Sequence, residues 1–208
     1  CGTIETDKNG FVNKLVNNSG MKKVADISLG TYVFNRATFE KILRLSRDVS
    51  LLYGIRKMLR YCIDEKMLSL FAWEFSGFIA PILSLSDYVN QSLKLLDYST
   101  RSQLFLDDWP IYTVTHNTPP ALYGPDADVK NSFIANGCII KGKVRNSIIS
   151  RDVIIEEDTY VDNSIVFTKS IVGKGTKVNN VLADKYVKMF KCHEVSGEPD
   201  CFLFIEQG

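Results

Sequence analysis

"VKNSFI" at 129–134, "VRNSII" at 144–149 and "VDNSIV" at 161–166 are near copies of one another, and "VNNVLA" at 178–183 is a worn fourth. Between and within these copies, aliphatic residues fall into sets of three. Ile134, Ile140 and Val144 form one set, Ile149, Ile155 and Val161 the next, and Val166, Val172 and Val178 the third. Inside the second and third sets the step is six residues, which predicts a parallel β-helix of hexapeptide repeats with a three-sided coil. Each side is then a short strand with one inward side chain. The Asn-Ser pairs at 131–132, 146–147 and 163–164 fall at corners, where Asn tolerates a left-handed backbone and can hydrogen-bond from coil to coil. Gly137, Gly142, Gly173 and Gly175 suit other turns. The repeat is therefore architecture, and its expected form is the left-handed parallel β-helix.

Upstream of the repeat the pattern changes. "CGTIET", "DKNG" and "FVNKLV" over residues 1–16 predict a hairpin, with Asn9 and Gly10 supplying positive φ. "VADISLGTYVFN" (24–35) reads as a strand, and Asn35 as the N-cap of a helix carrying Phe39, Ile42 and Leu43. Leu52, Ile55, Leu59, Cys62 and Ile63 mark a second amphipathic helix. "MLSLFAWEFSG" (67–77) reads as a buried strand, and "SLSDYVNQSLKLLD" (84–97) as another helix. Strands alternating with helices over 1–97 predict part of an α/β domain. The stretch 98–126 holds the four prolines Pro110, Pro119, Pro120 and Pro125 and reads as an extended linker. The β-helix is expected over 127–208, its end covered by the apolar run "CFLFI" (201–205). The chain opens on Cys1 in a strand-like segment, so a piece of a longer protein is expected.

Composition removes several function classes. With 25 basic and 24 acidic residues well mixed, the net charge of +1 gives no basic face of the kind that binds nucleic acid. No apolar run approaches the ~20 residues of a membrane helix. The cysteines at 1, 62, 138, 192 and 201 are odd in number and form no Cys-x-x-Cys pair, as in a reducing cytoplasm. Hexapeptide β-helices often carry a catalytic His or a three-His metal site, but the chain has only His116 and His193, assigned to the linker and the tail. No glycine-rich phosphate loop occurs. One charge pattern remains. Glu156, Glu157, Asp158 and Asp162 precede a run with Lys169, Lys174, Lys177, Lys185, Lys188 and Lys191. It reads either as a solvated face or as an anion site for a sugar-phosphate or nucleotide effector.

"SLGTYVF" (28–34), "DYVNQSLKLLD" (87–97), "WPIYTVTHNTPPALYG" (109–124) and "VKNSFIANGCIIKGKVRNSII" (129–149) resemble the bacterial glucose-1-phosphate adenylyltransferase (ADP-glucose pyrophosphorylase) family, in its C-terminal portion. The resemblance spans nearly the whole chain. It implies a nucleotidyltransferase-like domain followed by the β-helix. Catalytic members of that family carry Phe-Val-Glu-Lys-Pro after the hairpin, the Lys holding the sugar phosphate. Here "LVNNS" puts Asn17 and Asn18 at the Glu-Lys positions. Catalytic members also carry Tyr-Trp-Arg-Asp-Val-Gly-Thr, whose Asp helps hold Mg2+. Here "FIAPILS" (78–84) puts Ala80 and Pro81 at Arg-Asp. Neutral Asn cannot clamp a phosphate as Lys does, and a proline side chain cannot ligate a metal.

Ser28 matches a sugar-contacting serine, and Lys185, in "LADK", matches an effector-binding basic residue. Glu206 falls where the family has a second basic residue. The resemblance thus implies the D-type, non-catalytic regulatory subunit, with no catalytic residue, metal or cofactor of its own. Its implied partner is a catalytic subunit in a hetero-oligomer, a tetramer, that makes ADP-glucose and diphosphate from ATP and glucose 1-phosphate. Alternatives left open are an active member of the same family, a sugar-nucleotide-sensing scaffold and, last, a hexapeptide acyltransferase.

Overall fold

The computed structural model describes residues 2–17, 25–49, 54–190 and 192–207. They fall into two compact units, 1–76 and 77–208.

In the first unit, β1 (Gly2–Thr6) and β2 (Val12–Asn17) form the expected antiparallel hairpin, with β3 (Asp26–Ile27) on the other side of β1. Gly10 alone takes the positive φ in this turn, at 84°. The turn is held by the Asp7 carboxylate, which accepts the N–H groups of Asn9 and Phe11 at 2.8 and 2.9 Å. α1 (Arg36–Val49) starts where Asn35 predicts, its side-chain oxygen accepting the Thr38 N–H at 2.8 Å. α2 (Ile55–Asp64) buries Met58, Leu59, Cys62 and Ile63. Of the residues assigned to α1, Ile42 is buried while Phe39 and Leu43 stay exposed. Leu52 lies outside the described residues.

Two expected strands are corrected. Within the described part of 24–35 only Asp26 and Ile27 pair, and 67–77 contributes a single bridge from Phe71 to Phe11. Phe71, Trp73 and Phe75 are exposed, so 67–77 is not a buried strand. Apolar, β-prone composition marks a chain that fits a sheet, but a strand also needs a partner edge, which no local pattern encodes.

The second unit begins before the predicted boundary at 97. α3 (Leu85–Lys94) opens on Ser84, whose hydroxyl accepts the Asp87 N–H at 3.0 Å. Its buried Val89 packs with Ile165, Leu182 and Phe202, so this helix belongs with the β-helix. The predicted linker is partly helical too. α4 (Tyr98–Leu104) is capped by Asp97, which accepts the Thr100 N–H at 2.8 Å.

The β-helix follows in five coils, starting earlier than residue 127. The first is β4 (Leu122–Tyr123), β5 (Asp128–Lys130) and β6 (Phe133–Ile134). The second is β7 (Ile139–Ile140), β8 (Lys143–Arg145) and β9 (Ile148–Ile149). The third is β10 (Ile154–Ile155), β11 (Tyr160–Asp162) and β12 (Ile165–Val166). The fourth is β13 (Ile171–Val172), β14 (Lys177–Asn179) and β15 (Val181–Ala183). The fifth is β16 (Lys188–Met189), β17 (Glu194–Ser196) and β18 (Leu203–Ile205). Corresponding sides stack in parallel into three five-stranded sheets. The run "CFLFI" supplies the last rung of the third sheet and the buried Phe202.

The inward residues are those the six-residue step selects. Ile140, Val144, Ile149, Ile155, Val161, Val166, Val172 and Val178 are all buried, and Ile134 packs against them from the end. Asn131, Asn146, Asn163 and Asn180 hold φ values of 46°, 44°, 45° and 53° at the corners. The Asn ladder is interrupted. Asn131 donates to Asn146 at 2.8 Å and Asn163 to Asn180 at 2.6 Å, but Asn146 donates to Asp162.

The continuous ladder is made by serine. Each hydroxyl donates to the carbonyl two residues back, and the oxygens of Ser132, Ser147 and Ser164 accept the N–H of Ser147, Ser164 and Val181, each at 3.1 Å. Ser147 and Ser164 are buried, so this pairing meets the requirement that buried polar groups be satisfied.

Candidate functional site

The residues singled out by resemblance lie in both units. Asn17 ends β2, its backbone opposite Gly2. Asn18 lies outside the described residues. Ser28 follows β3; its N–H donates to the Gly2 carbonyl at 2.8 Å, and its hydroxyl accepts the Gly30 N–H at 3.4 Å. Ala80 and Pro81 sit in the irregular stretch ahead of α3, Ala80 half-buried and Pro81 exposed. Neither offers a side-chain oxygen, so this position does not fit the Mg2+ of the catalytic family members. No group of three or more His, Cys, Asp or Glu among the described residues could hold a metal ion.

Lys185 and Glu206 are brought together by the last two coils. Ala183 pairs with Ile205 across β15 and β18, and the Asp184 N–H donates to the Ile205 carbonyl at 2.9 Å. Lys185 and Glu206 therefore leave neighbouring rungs at one corner, both exposed. Beside them lies an open cavity of about 560 Å3 lined by Tyr186, Val187, Lys188, Ile205, Glu206 and Gln207. The Asp184 carboxylate accepts the Lys185 N–H at 2.7 Å, fixing the backbone of the turn.

Of the cavity's lining residues, Lys188 can offer an anion its ammonium group and the Glu206 carboxylate opposes it, while Lys185, next in the chain to Tyr186, is not itself in the lining. Tyr186 is a lining residue that the sequence reading does not single out. It holds φ 62°, and its ring centre lies 5.8 Å from the Lys169 Nζ. Its signal in the sequence is an aromatic residue at a corner where the coils before it carry Asp152 and Lys169.

The lysine run does not form one face. Lys174 is paired with Glu157 at 3.0 Å and Asp158 at 3.6 Å. Its ammonium holds the Glu157 carboxyl below the usual range, while Glu157 raises the Lys174 pKa. Lys177 lies beside Glu194 in the second sheet and Lys188 in the first. Lys191 lies outside the described residues.

His193 occupies a corner of the fifth coil, between β16 and β17, which corrects its assignment to a tail outside the coils. Its carbonyl accepts the Lys177 N–H at 3.0 Å and its ring is exposed. His116 is exposed as well.

Residues 121–200 match the family model for the GlmU-like C-terminal hexapeptide, the stretch that begins with the first rung. The glycogen biosynthesis protein GlgD of Bacillus subtilis is 34% identical over 145 residues, covering 70% of this chain and 42% of that protein. The chain is a relative of the glucose-1-phosphate adenylyltransferases and of GlgD. The glucose-1-phosphate adenylyltransferase of Acetivibrio thermocellus is 27% identical over 191 residues, 91% of this chain and 45% of that enzyme. That of Clostridium acetobutylicum is 29% identical over 161 residues, 77% of this chain and 42% of that enzyme. The chain thus spans less than half the length of these relatives. No helix among the described residues is long and apolar enough to cross a membrane.

Proposed function

We propose that this chain is part of a regulatory subunit of glucose-1-phosphate adenylyltransferase in glycogen synthesis. The subunit is non-catalytic by itself and tunes a catalytic partner in a cytoplasmic hetero-oligomer, expected to be a tetramer. The observation that carries this reading is the absence of charge at four positions in two stretches. Asn17 and Asn18 stand where catalytic members carry Glu-Lys, and Ala80 and Pro81 where they carry Arg-Asp. Phosphoryl and nucleotidyl transfer depend on positioned cations and metal ligands, and none of these four side chains is charged.

Similarity to a protein named for glycogen biosynthesis supports the assignment. Lys185 is the candidate effector contact, for a sugar phosphate or nucleotide, and Ser28 the candidate sugar-phosphate contact. Glu206 beside the cavity weakens anion binding there, which favours a subunit that transmits regulation over one with a strong effector site of its own.

A second reading, an active transferase, draws on the relative that covers most of the chain and bears the enzyme's name. The test is ADP-glucose formation by the full-length protein and by Asn18→Lys combined with Pro81→Asp. The regulatory reading expects no turnover from the unaltered protein and measurable turnover only when the charges are restored. Robust turnover by the unaltered protein alone overturns it. No turnover together with no effect on a catalytic subunit's rate or substrate affinity favours the sensing scaffold.

A further inference from the structure

The third sheet ends on β18, which pairs with β15 on one side only, and among the described residues no rung follows it. A terminal strand with a single partner is the part of a stacked coil that opens most readily. The two ends of β18 meet different neighbours. Before it, the loop 197–202 turns back on itself, Glu198 and Cys201 each donating an N–H to the other's carbonyl at 3.1 Å. This loop seats Phe202, 5% exposed, in one cluster with Leu182 of β15 and Val89 of α3. Its Asp200 carbonyl accepts the Ser86 hydroxyl of α3 at 3.2 Å. At the other end of β18, Ile205 and Glu206 line the cavity that Lys188 also lines. One short strand therefore touches α3 at its start and the cavity at its finish.

Charge links the two ends. A phosphate-bearing anion held by the Lys188 ammonium shares the cavity with the Glu206 carboxylate, and like charges repel. Lys188 belongs to β16 in the first sheet, so the anion does not travel with β18 in the third. The repulsion acts while β18 is seated and is relieved when it withdraws. That difference is what a ligand needs in order to shift an equilibrium between two positions. Withdrawal takes Phe202 and Asp200 away from α3. The helix in turn is tied to the stretch that carries Ala80 and Pro81, since the Asp87 carboxylate accepts the Leu83 N–H at 3.1 Å.

We propose that β18 and the loop before it form a latch on α3, released through Glu206 when a phosphate-bearing anion enters the cavity. This rests on the reading of that corner as an effector site. It gives Glu206 a role, because the carboxylate that weakens the anion's binding is also what makes that binding felt at α3. Coupling of this kind is reciprocal, so loosening the latch tightens the anion by the same factor.

The test is hydrogen exchange of the full-length protein with and without inorganic phosphate at constant ionic strength, with calorimetry to follow phosphate binding and thermal melts to confirm folding. Exchange of 85–94 is expected to rise roughly two- to fivefold with phosphate, the size of an exposed charge–charge contact. Glu206→Gln is expected to bind phosphate more tightly and to leave the exchange of α3 unchanged by it. Ser86→Ala is expected to exchange faster without phosphate and to bind it more tightly. Phosphate binding that Lys188→Gln weakens, with exchange of 85–94 unchanged or slowed, overturns the latch and leaves the effector site standing. No phosphate binding, or binding indifferent to Lys188→Gln, overturns both. Turnover by the protein alone would contradict the regulatory reading without touching the latch.

Discussion

At the scale of single residues, the repeat reads differently from its appearance as a motif. Asn holds the left-handed corner, while the buried Ser hydroxyl links successive coils. Ser164→Ala leaves the buried Val181 N–H without its acceptor and is expected to cost about 1–3 kcal/mol in urea unfolding. Asn163→Gly, which keeps the φ of 45° accessible, should cost far less than Asn163→Val.

Burial pushes the thiols of Cys62 and Cys138 up, so both stay protonated and shielded, while Cys192 and Cys201 are exposed. A thiol reagent should therefore modify Cys192 and Cys201 in the folded chain, and Cys62 and Cys138 only after unfolding.

Asp128 adds a pH dependence. The Arg145 guanidinium, hydrogen-bonded to its carboxylate, holds that carboxyl below the usual range. Its contribution to stability is present above the ordinary carboxylate value, near pH ~4, and is lost as pH falls through the lower folded value. Arg145→Gln should flatten that acid limb in melts taken between about pH 5 and pH 2.

At the scale of elements, legibility follows period and capping. The inward aliphatics of coils two to four are legible because a step of six recurs over most of them. The start of the first coil is not, because the position in register with the inward Ile140 is Tyr123, an exposed aromatic set among prolines, although Val129 and Ile134 after it fall in register with Val144 and Ile149. α1 and α3 are legible from Asn35 and Ser84 as caps. α4 hides in a predicted linker because "YSTRSQL" carries no apolar stripe, although Asp97 before it is a usable cap signal. Segments 24–35 and 67–77 mislead because their aromatics suit a sheet whose pairing is not encoded locally. α3 illustrates the same limit. Its amphipathic pattern is plain, but its docking on the third sheet depends on Ile165 and Leu182, which lie far along the chain. Val89→Asp would bury an unpaired carboxylate against them. It is expected to detach α3 and lower the melting temperature of the β-helix, with a gain of hydrogen exchange confined to 85–94 and the third sheet.

At the scale of the whole molecule, the candidate positions separate by what carries them. Ser28 and Asn17 belong to the first unit, whereas Ala80, Pro81, Lys185 and Glu206 belong to the second. The sequence identifies them by resemblance to a family, and the geometry adds what spacing could not. Lys185 and Glu206 leave adjacent rungs beside one cavity because β18 pairs with β15, a register that the loop at 197–202 conceals from any repeat count. In the regulatory reading, the chain contributes to rate only through a partner. The most direct measurement is the rate of ADP-glucose formation by a catalytic glucose-1-phosphate adenylyltransferase subunit, with and without stoichiometric full-length protein, across a range of glucose 1-phosphate. The account predicts no product from the full-length protein alone and a changed kcat or KM when the two are combined. Product from the full-length protein alone, at a rate comparable to that of the catalytic subunit, would contradict it.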